Sequence, residues 1–317
     1  MKAFLKTLAG VVLLIGAACR SSVEKTDSVP VVRIATVSGR VMNPFSEALT
    51  RGLSDHFPAR IQVEKAKTSE TFVKDIGTGQ IDFAMIQTDV AYLAYTKGAG
   101  GSGGPQRNLR GVALLYTSPV RLLATQASGI RNIADLRGKR VFVGTGHNPS
   151  EFTVRMALEG VGLSLADIRA QWLPNEAIVP ELREGKLDAV FARGNDPAPA
   201  VEEMMKVPGV LFIPIPDGQI EKIYERDPFI HSTSIPAGMY GRHPEIETAG
   251  VDMLLTCHDD LPEDLVYWVT RILFESLPAL AGSLNSIRQI DVEHIQASPI
   301  PLHPGAARFY RERELFP

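Results

Sequence analysis

Short apolar runs alternate with amphipathic segments along most of the chain, the pattern of strands and helices wound into one sheet after another. In "RVFVGTGHNPSEFTVRMALEG", Arg140 to Gly160, a β-branched run ends in two glycines, and Asn148 and Pro149 then open an amphipathic helix. "NLRGVALLY", "VRLLATQ", "VLFIPIP" and "VDMLLTC" read as further strands. A long helix from Pro262 places Leu265, Val266, Val269, Ile272, Leu273 and Leu277 on one face.

The pattern also repeats. "VKDIGTGQIDFAMIQTDVAYLAY" from Val73 and "VPELREGKLDAVFARGNDPAPAV" from Val179 share one register, pairing Ile76 with Leu182, Gly79 with Gly185, Ile81 with Leu187 and Asp82 with Asp188, each 106 residues apart. Each copy reads as helix, glycine C-cap, short apolar strand and polar loop into another helix. Upstream, "IATVSGRVMNPFSEALTRGL" matches the Arg140 stretch, with Asn43-Pro44 set against Asn148-Pro149. The expected fold is α/β: two lobes facing each other across a cleft, each a mostly parallel sheet flanked by helices. The expected divisions are a signal peptide (1–18), a lipid-anchored tether (19–30), lobe 1 (31–118), lobe 2 (119–216), and the completion of lobe 1 with the hinge (217–317). Flexing is expected near Tyr116 to Pro119 and near Pro214 to Glu225.

Composition adds compartment and narrows chemistry. Lys2 and Lys6 precede an apolar Leu8–Ile15 core too short to span a bilayer, and Gly16-Ala17-Ala18-Cys19 resembles a lipobox in which Cys19 is acylated. Gly16 stands where that motif usually has Leu, so cleavage after Ala18 without lipid is the alternative. Export to the periplasm, with membrane attachment through Cys19, is the expectation. A net charge of −3 gives no broad basic field, which argues against nucleic acid. Two cysteines rule out a disulfide framework, and Cys257-His258-Asp259-Asp260 reads as a buried thiol followed by a polar turn rather than a metal site.

Enzyme signatures fail one by one. Pro149 stands where a dinucleotide fingerprint needs its third glycine, and no Gly-Lys-Ser/Thr follows. The Gly100–Gly104 string lies inside a glycine tract rather than on a strand-to-helix elbow. The seven histidines lack ligand spacing. The expectation is a binding protein, not an enzyme, with neither cofactor nor metal.

"GQIDFAMIQTDVAYLAY", "IRNIADLRGKRVFVG", "LREGKLDAVF", "SIPAGMY", "DLPEDLVYWVTRILFESL" and "SPIPLHPGAARFYRE" together resemble the TAXI class of solute receptors serving tripartite ATP-independent periplasmic (TRAP) transporters. The resemblance spans about Val31 to Glu312. It implies the two-lobed Venus-flytrap, type II-like periplasmic-binding-protein fold, and a receptor that closes on a small carboxylate or amino acid, glutamate-like, and delivers this anionic or zwitterionic solute to an integral membrane TRAP permease. Three loops depart from the TAXI pattern: Gly39 to Asn43, Ala66 to Thr71, and Gly146 to Ser150. Those departures would permit a second role, a periplasmic sensing or partner-binding lipoprotein of the same fold with an altered site.

Ligands of parallel sheets lie at the strand ends and at helix N-termini. The candidate ligand contacts are therefore Ser38, Arg40, Asn43, Ser69, Gln87, Thr88 and Tyr116 in the first lobe, Thr145, His147, Asn148, Ser150, Asn175, Arg193 and Asn195 in the second, and Tyr240. Arg193 is the expected carboxylate clamp, with a salt bridge to Asp196 or Glu176 as its competing role, and Arg40 is the other candidate clamp.

Overall fold

A computed structural model describes residues 30–36, 47–53, 56–57, 59–65, 69–98, 104–145, 149–193, 197–225, 227–281, 294 and 296–315. The Cys19 site and the loops 37–46, 146–148 and 194–196 lie outside the described residues.

The strands segregate into two sheets. The first holds β1 (Val31–Thr36), β2 (Arg60–Lys65), β3 (Phe83–Gln87), β4 (Leu109–Pro119), β10 (Ile230–Ile235) and β11 (Ile246–His258). Its order is β10-β11-β3-β1-β2, with β4 also against β11. The second runs β7-β6-β8-β5-β9, from β5 (Arg121–Thr125), β6 (Arg140–Gly144), β7 (Arg169–Trp172), β8 (Ala189–Ala192) and β9 (Val210–Ile213). In each sheet a parallel triplet, β2-β1-β3 or β7-β6-β8, is extended by antiparallel strands. β4, β5 and β11, which carry or brace the crossing between sheets, are among the antiparallel strands, so the sheets are less purely parallel than the strand-helix alternation predicts.

Helices cover both faces of each sheet. On the first, α1 (47–53), α8 (Glu263–Ala281) and α9 (Pro304–Glu312) bury one face, and α2 (Ser69–Gly77) and α3 (Thr88–Lys97) the other. All six apolar positions picked from the α8 periodicity are buried. On the second sheet, α4 (Pro149–Glu159) packs on one face, and α5 (Ile178–Arg183) and α6 (Pro199–Met205) on the other.

The 106-residue repeat is structural. Gly79 and Gly185 both turn through left-handed backbone, at φ 69° and 67°, where a side chain is strained. The amides of Gln80 and Ile81 donate to the Asp75 carbonyl, as those of Lys186 and Leu187 donate to Glu181. Asp82 then accepts from the Arg33 amide at 2.7 Å, and Asp188 from the Arg140 amide at 2.8 Å. Each carboxylate thus ties the start of one strand to the start of its parallel neighbour.

Chain crosses between the sheets at Val120, whose amide donates to the Ala249 carbonyl at 2.8 Å and whose carbonyl accepts from the Thr248 hydroxyl. α7 (Asp217–Tyr224) lies at the junction of the lobes, against β10 and β11 of the first sheet and α4 of the second. Its Ile220 and Ile223, one turn apart, join Val154 and Leu158 of α4, and Gly160 leaves room for Ile223, which would lie 2.9 Å from an added Cβ. The same cluster takes in Phe229, Ile230, Ala249 and Val251, so the beginning of β10 and the middle of β11 are shared with the second lobe.

Candidate functional site

The carboxyl ends of β3 and β8 lead directly to the residues that join the two lobes. Gln87 ends β3 and is the N-cap of α3, although its side chain makes no cap hydrogen bond. Thr88 and Asp89 follow in the first turn, both buried, and the Thr88 hydroxyl donates to the Phe229 carbonyl at 3.4 Å. Arg193 follows β8 and crosses to the first lobe: its Nη1 donates to Asp89 Oδ2 at 2.7 Å and to Thr153 Oγ1 of α4 at 2.6 Å. The two charged side chains are only 7% and 1% exposed. Removing both from water is costly, so their pairing with good geometry is a precondition of the closed arrangement. The competing role that the sequence offered Arg193, a salt bridge, is thus present, with Asp89 as the described partner; Asp196 lies outside the described residues.

The other helix N-terminus near these strand ends is compensated in the same way. Glu151, in the first turn of α4, is buried and accepts from Arg155 Nη2 at 2.6 Å and from Trp172 Nε1 at 3.0 Å. Both α3 and α4 therefore supply a carboxylate of their own where the sequence pattern points to a bound anion. The opposed jaws carry unlike charge, Asp89 on the first lobe and Arg193 on the second. Asp89, Glu151 and Thr153 were not singled out from sequence; a Thr-Asp pair just after the apolar "DFAMI" run was the available signal for Asp89.

Other sequence candidates are placed differently. Tyr116 is buried against α8 and α9 because a β-bulge sets Leu115 and Tyr116 opposite the single residue Met253, turning both inward. Tyr240 packs in the second lobe against Phe212, and its hydroxyl accepts from the Ala198 amide at 2.7 Å. Both rings are buried, and Tyr116 also lines a cavity beside β10. Thr145 and Asn175 are exposed, the latter in a 3-10 turn. Ser69 and Ser150 lie in the first turns of α2 and α4. Ser38, Arg40, Asn43, His147, Asn148 and Asn195 fall outside the described residues.

Sequence reasoning also passed over Arg121, a wholly buried arginine paired in register with Ala192 beside the Arg193 strand end. Its guanidinium lies 5.8 Å from the Tyr240 ring centre and donates to the Pro119 carbonyl at 3.3 Å. The side chains of His258, Asp259 and Asp260 do converge, with potential ligand atoms within 4.8 Å of one another. Arg110 pairs with Asp259 at 2.9 Å, Asn108 bonds His258 Nε2 at 2.6 Å and the Asp260 amide donates to His258 Nδ1 at 3.1 Å, so His258 and Asp259 have partners within the turn and its neighbours. Cys257 is buried and its thiol is pushed up by desolvation, consistent with the structural thiol expected there.

Two helix-covered sheets joined by crossing strands, with charged residues at the facing strand ends, define the periplasmic-binding-protein class of fold. The alkanesulfonate-binding protein SsuA of Xanthomonas axonopodis pv. citri, solved bound to MOPS, is 17% identical and superposes at a TM-score of 0.50 over 90% of this chain and 84% of its own. The aliphatic sulphonate binding protein SsuA of Escherichia coli gives 14% and 0.52, over 92% and 95%. PhnD1 of Prochlorococcus marinus in complex with methylphosphonate gives 12% and 0.51, over 90% and 99%. These are likenesses of fold. By sequence the chain belongs to the NMT1-like family, whose pattern matches residues 41–313. Among the described residues, no helix is long and apolar enough to cross a membrane.

Proposed function

We propose that this chain is an extracytoplasmic solute receptor that closes on a small zwitterion, an amino acid or similar amino carboxylate, and delivers it to a membrane permease. The observation that carries the reading is the Arg193–Asp89 pair, a cation on one lobe meeting an anion on the other at the strand ends. A solute entering there replaces the internal pair: its carboxylate takes the planar fork of Arg193 and its ammonium takes Asp89. A plain dianion gains Arg193 but faces the buried Asp89, which opposes it. The TAXI-like motifs support a TRAP permease as partner, and the export-signal pattern with Cys19 supports a lipid-anchored receptor.

A second reading is favoured by the fold likeness to sulfonate- and phosphonate-binding proteins: capture of such an anion for an ABC permease. A thermal-shift screen of the mature chain against amino acids, carboxylates, sulfonates and phosphonates separates the two. Ligand at a hundred times its dissociation constant adds about 2.7 kcal/mol. Shifts confined to zwitterions support the first reading; shifts confined to sulfonates or phosphonates replace it with the second.

A further inference from the structure

A cavity of about 410 Å³ opens beside the hinge strands, sharing no residue with the Arg193–Asp89 pair. The bulge that turns Tyr116 into the core leaves Thr117 paired with Asp252, and the Thr117 hydroxyl donates to Asp252 Oδ1 at 2.7 Å. His231 of β10 reaches the same oxygen through Nε2 at 2.8 Å, while its Nδ1 faces the Ser232 carbonyl at 3.1 Å. Two oxygen acceptors, one at each ring nitrogen, are both satisfied only by the imidazolium form. Asp252 Oδ1 is thus doubly engaged, whereas Oδ2 receives no hydrogen bond among the described residues. Leu114 and Pro228 give the cavity an apolar side, and Tyr224, 52% exposed, adds an aromatic wall. A neighbouring cavity, also lined by Tyr224 and His231, carries Glu221 and Glu225.

We infer that this cavity is a second binding site, one that takes a small organic ammonium ion, its head on Asp252 and its apolar body against Tyr224, Leu114 and Pro228. A carboxylate with a vacant oxygen supplies the charge-assisted acceptor, and an aromatic face attracts a cation. The volume suits a ligand of roughly drug-fragment size. A metal ion would find a single carboxylate, one oxygen of which is already engaged by Thr117 and His231. The inference stands apart from the proposed solute reading, because the two loci have no side chain in common.

The test is an NMR titration of the mature chain with benzylamine, using benzyl alcohol and benzoate as neutral and anionic comparators. Benzylamine is expected to give saturable shifts centred on His231, Tyr224 and Asp252, with both comparators at least about tenfold weaker. Tyr224→Ala, at an exposed position that does not threaten folding, and Asp252→Asn are each expected to weaken benzylamine about tenfold. Shifts centred on Asp89 and Arg193, equal binding of benzoate, no saturation, or unaltered binding by folded Tyr224→Ala would each overturn the site.

Discussion

Arg193 Nη1 lies 2.7 Å from Asp89 Oδ2, and the pair joins the end of a second-lobe strand to the first turn of a first-lobe helix. Because both side chains are buried, breaking the pair while the lobes stay closed strands a charge, a penalty of about 3 to 5 kcal/mol. Opening the cleft relieves that penalty by letting water reach the survivor. Arg193→Ala and Asp89→Ala are therefore expected to shift the ligand-free chain toward an open form. Small-angle scattering checks this: both variants should have a larger radius of gyration than wild type, and unchanged radii would show that the pair does not hold the lobes together.

The Asp188 carboxylate gives a pH-dependent contribution. Desolvation acts to raise it, but the hydrogen bonds and charge of Arg140 prevail and hold it below its ordinary 3.8. A depressed folded-state value stabilises above the unfolded value, and the gain is lost as pH falls through the depressed one. Asp188→Asn should therefore cost about 1 kcal/mol at neutral pH, allowing for solvent screening. In urea melts the difference from wild type should shrink as pH drops below 3.8; a constant difference would contradict this linkage.

His231 has the opposite sign. Burial acts to lower it, yet the hydrogen bond to Asp252 and that residue's charge outweigh burial and raise it above 6.5. The stabilisation is complete below 6.5 and disappears as pH rises through the higher folded-state value. The groups around it are Asp252 and Thr117 on neighbouring strands, Tyr224, Glu221 and Glu225 on or just after α7, and His294 across the cavity. His231→Asn should melt well below wild type in mildly acidic buffer and close to it in alkaline buffer, with a flat profile excluding the imidazolium.

Helix α9 docks on α8 through Gly305. A Cβ there would lie 2.2 Å from the Glu263 carbonyl oxygen and 2.8 Å from the Tyr267 amide nitrogen, backbone atoms that cannot yield cheaply. Gly305→Ala should destabilise by about 3 kcal/mol through overpacking. A calorimetric melt within about 0.5 kcal/mol of wild type would mean that the contact is looser than this.

The repeat was legible because Gly79/Gly185 and Asp82/Asp188 are local devices, a left-handed cap and a strand tie, that a sequence register carries directly. The apolar stripe of α8 was legible for the same reason. The burial of Tyr116 was not legible because a single-residue bulge reverses which face a strand side chain occupies, and nothing in "ALLYTSP" marks the bulge. Asp89 was missed because its role depends on Arg193, 104 residues away, and only tertiary closure brings them together. β2, β7 and β10 were not read as strands: "RIQVEK", "RAQW" and "IHSTSI" carry polar residues on faces that remain partly open.

Calorimetric titration with the best-bound amino acid and its desamino carboxylate, in wild type and Asp89→Asn, tests the opposed-charge cleft most directly. Wild type should prefer the zwitterion by at least about tenfold, Asp89→Asn should lose most of that preference while keeping the carboxylate, and Arg193→Ala should weaken both by about ten- to a hundredfold. A wild type that binds the desamino carboxylate as tightly as the amino acid, or an Asp89→Asn variant with the preference intact, would contradict it.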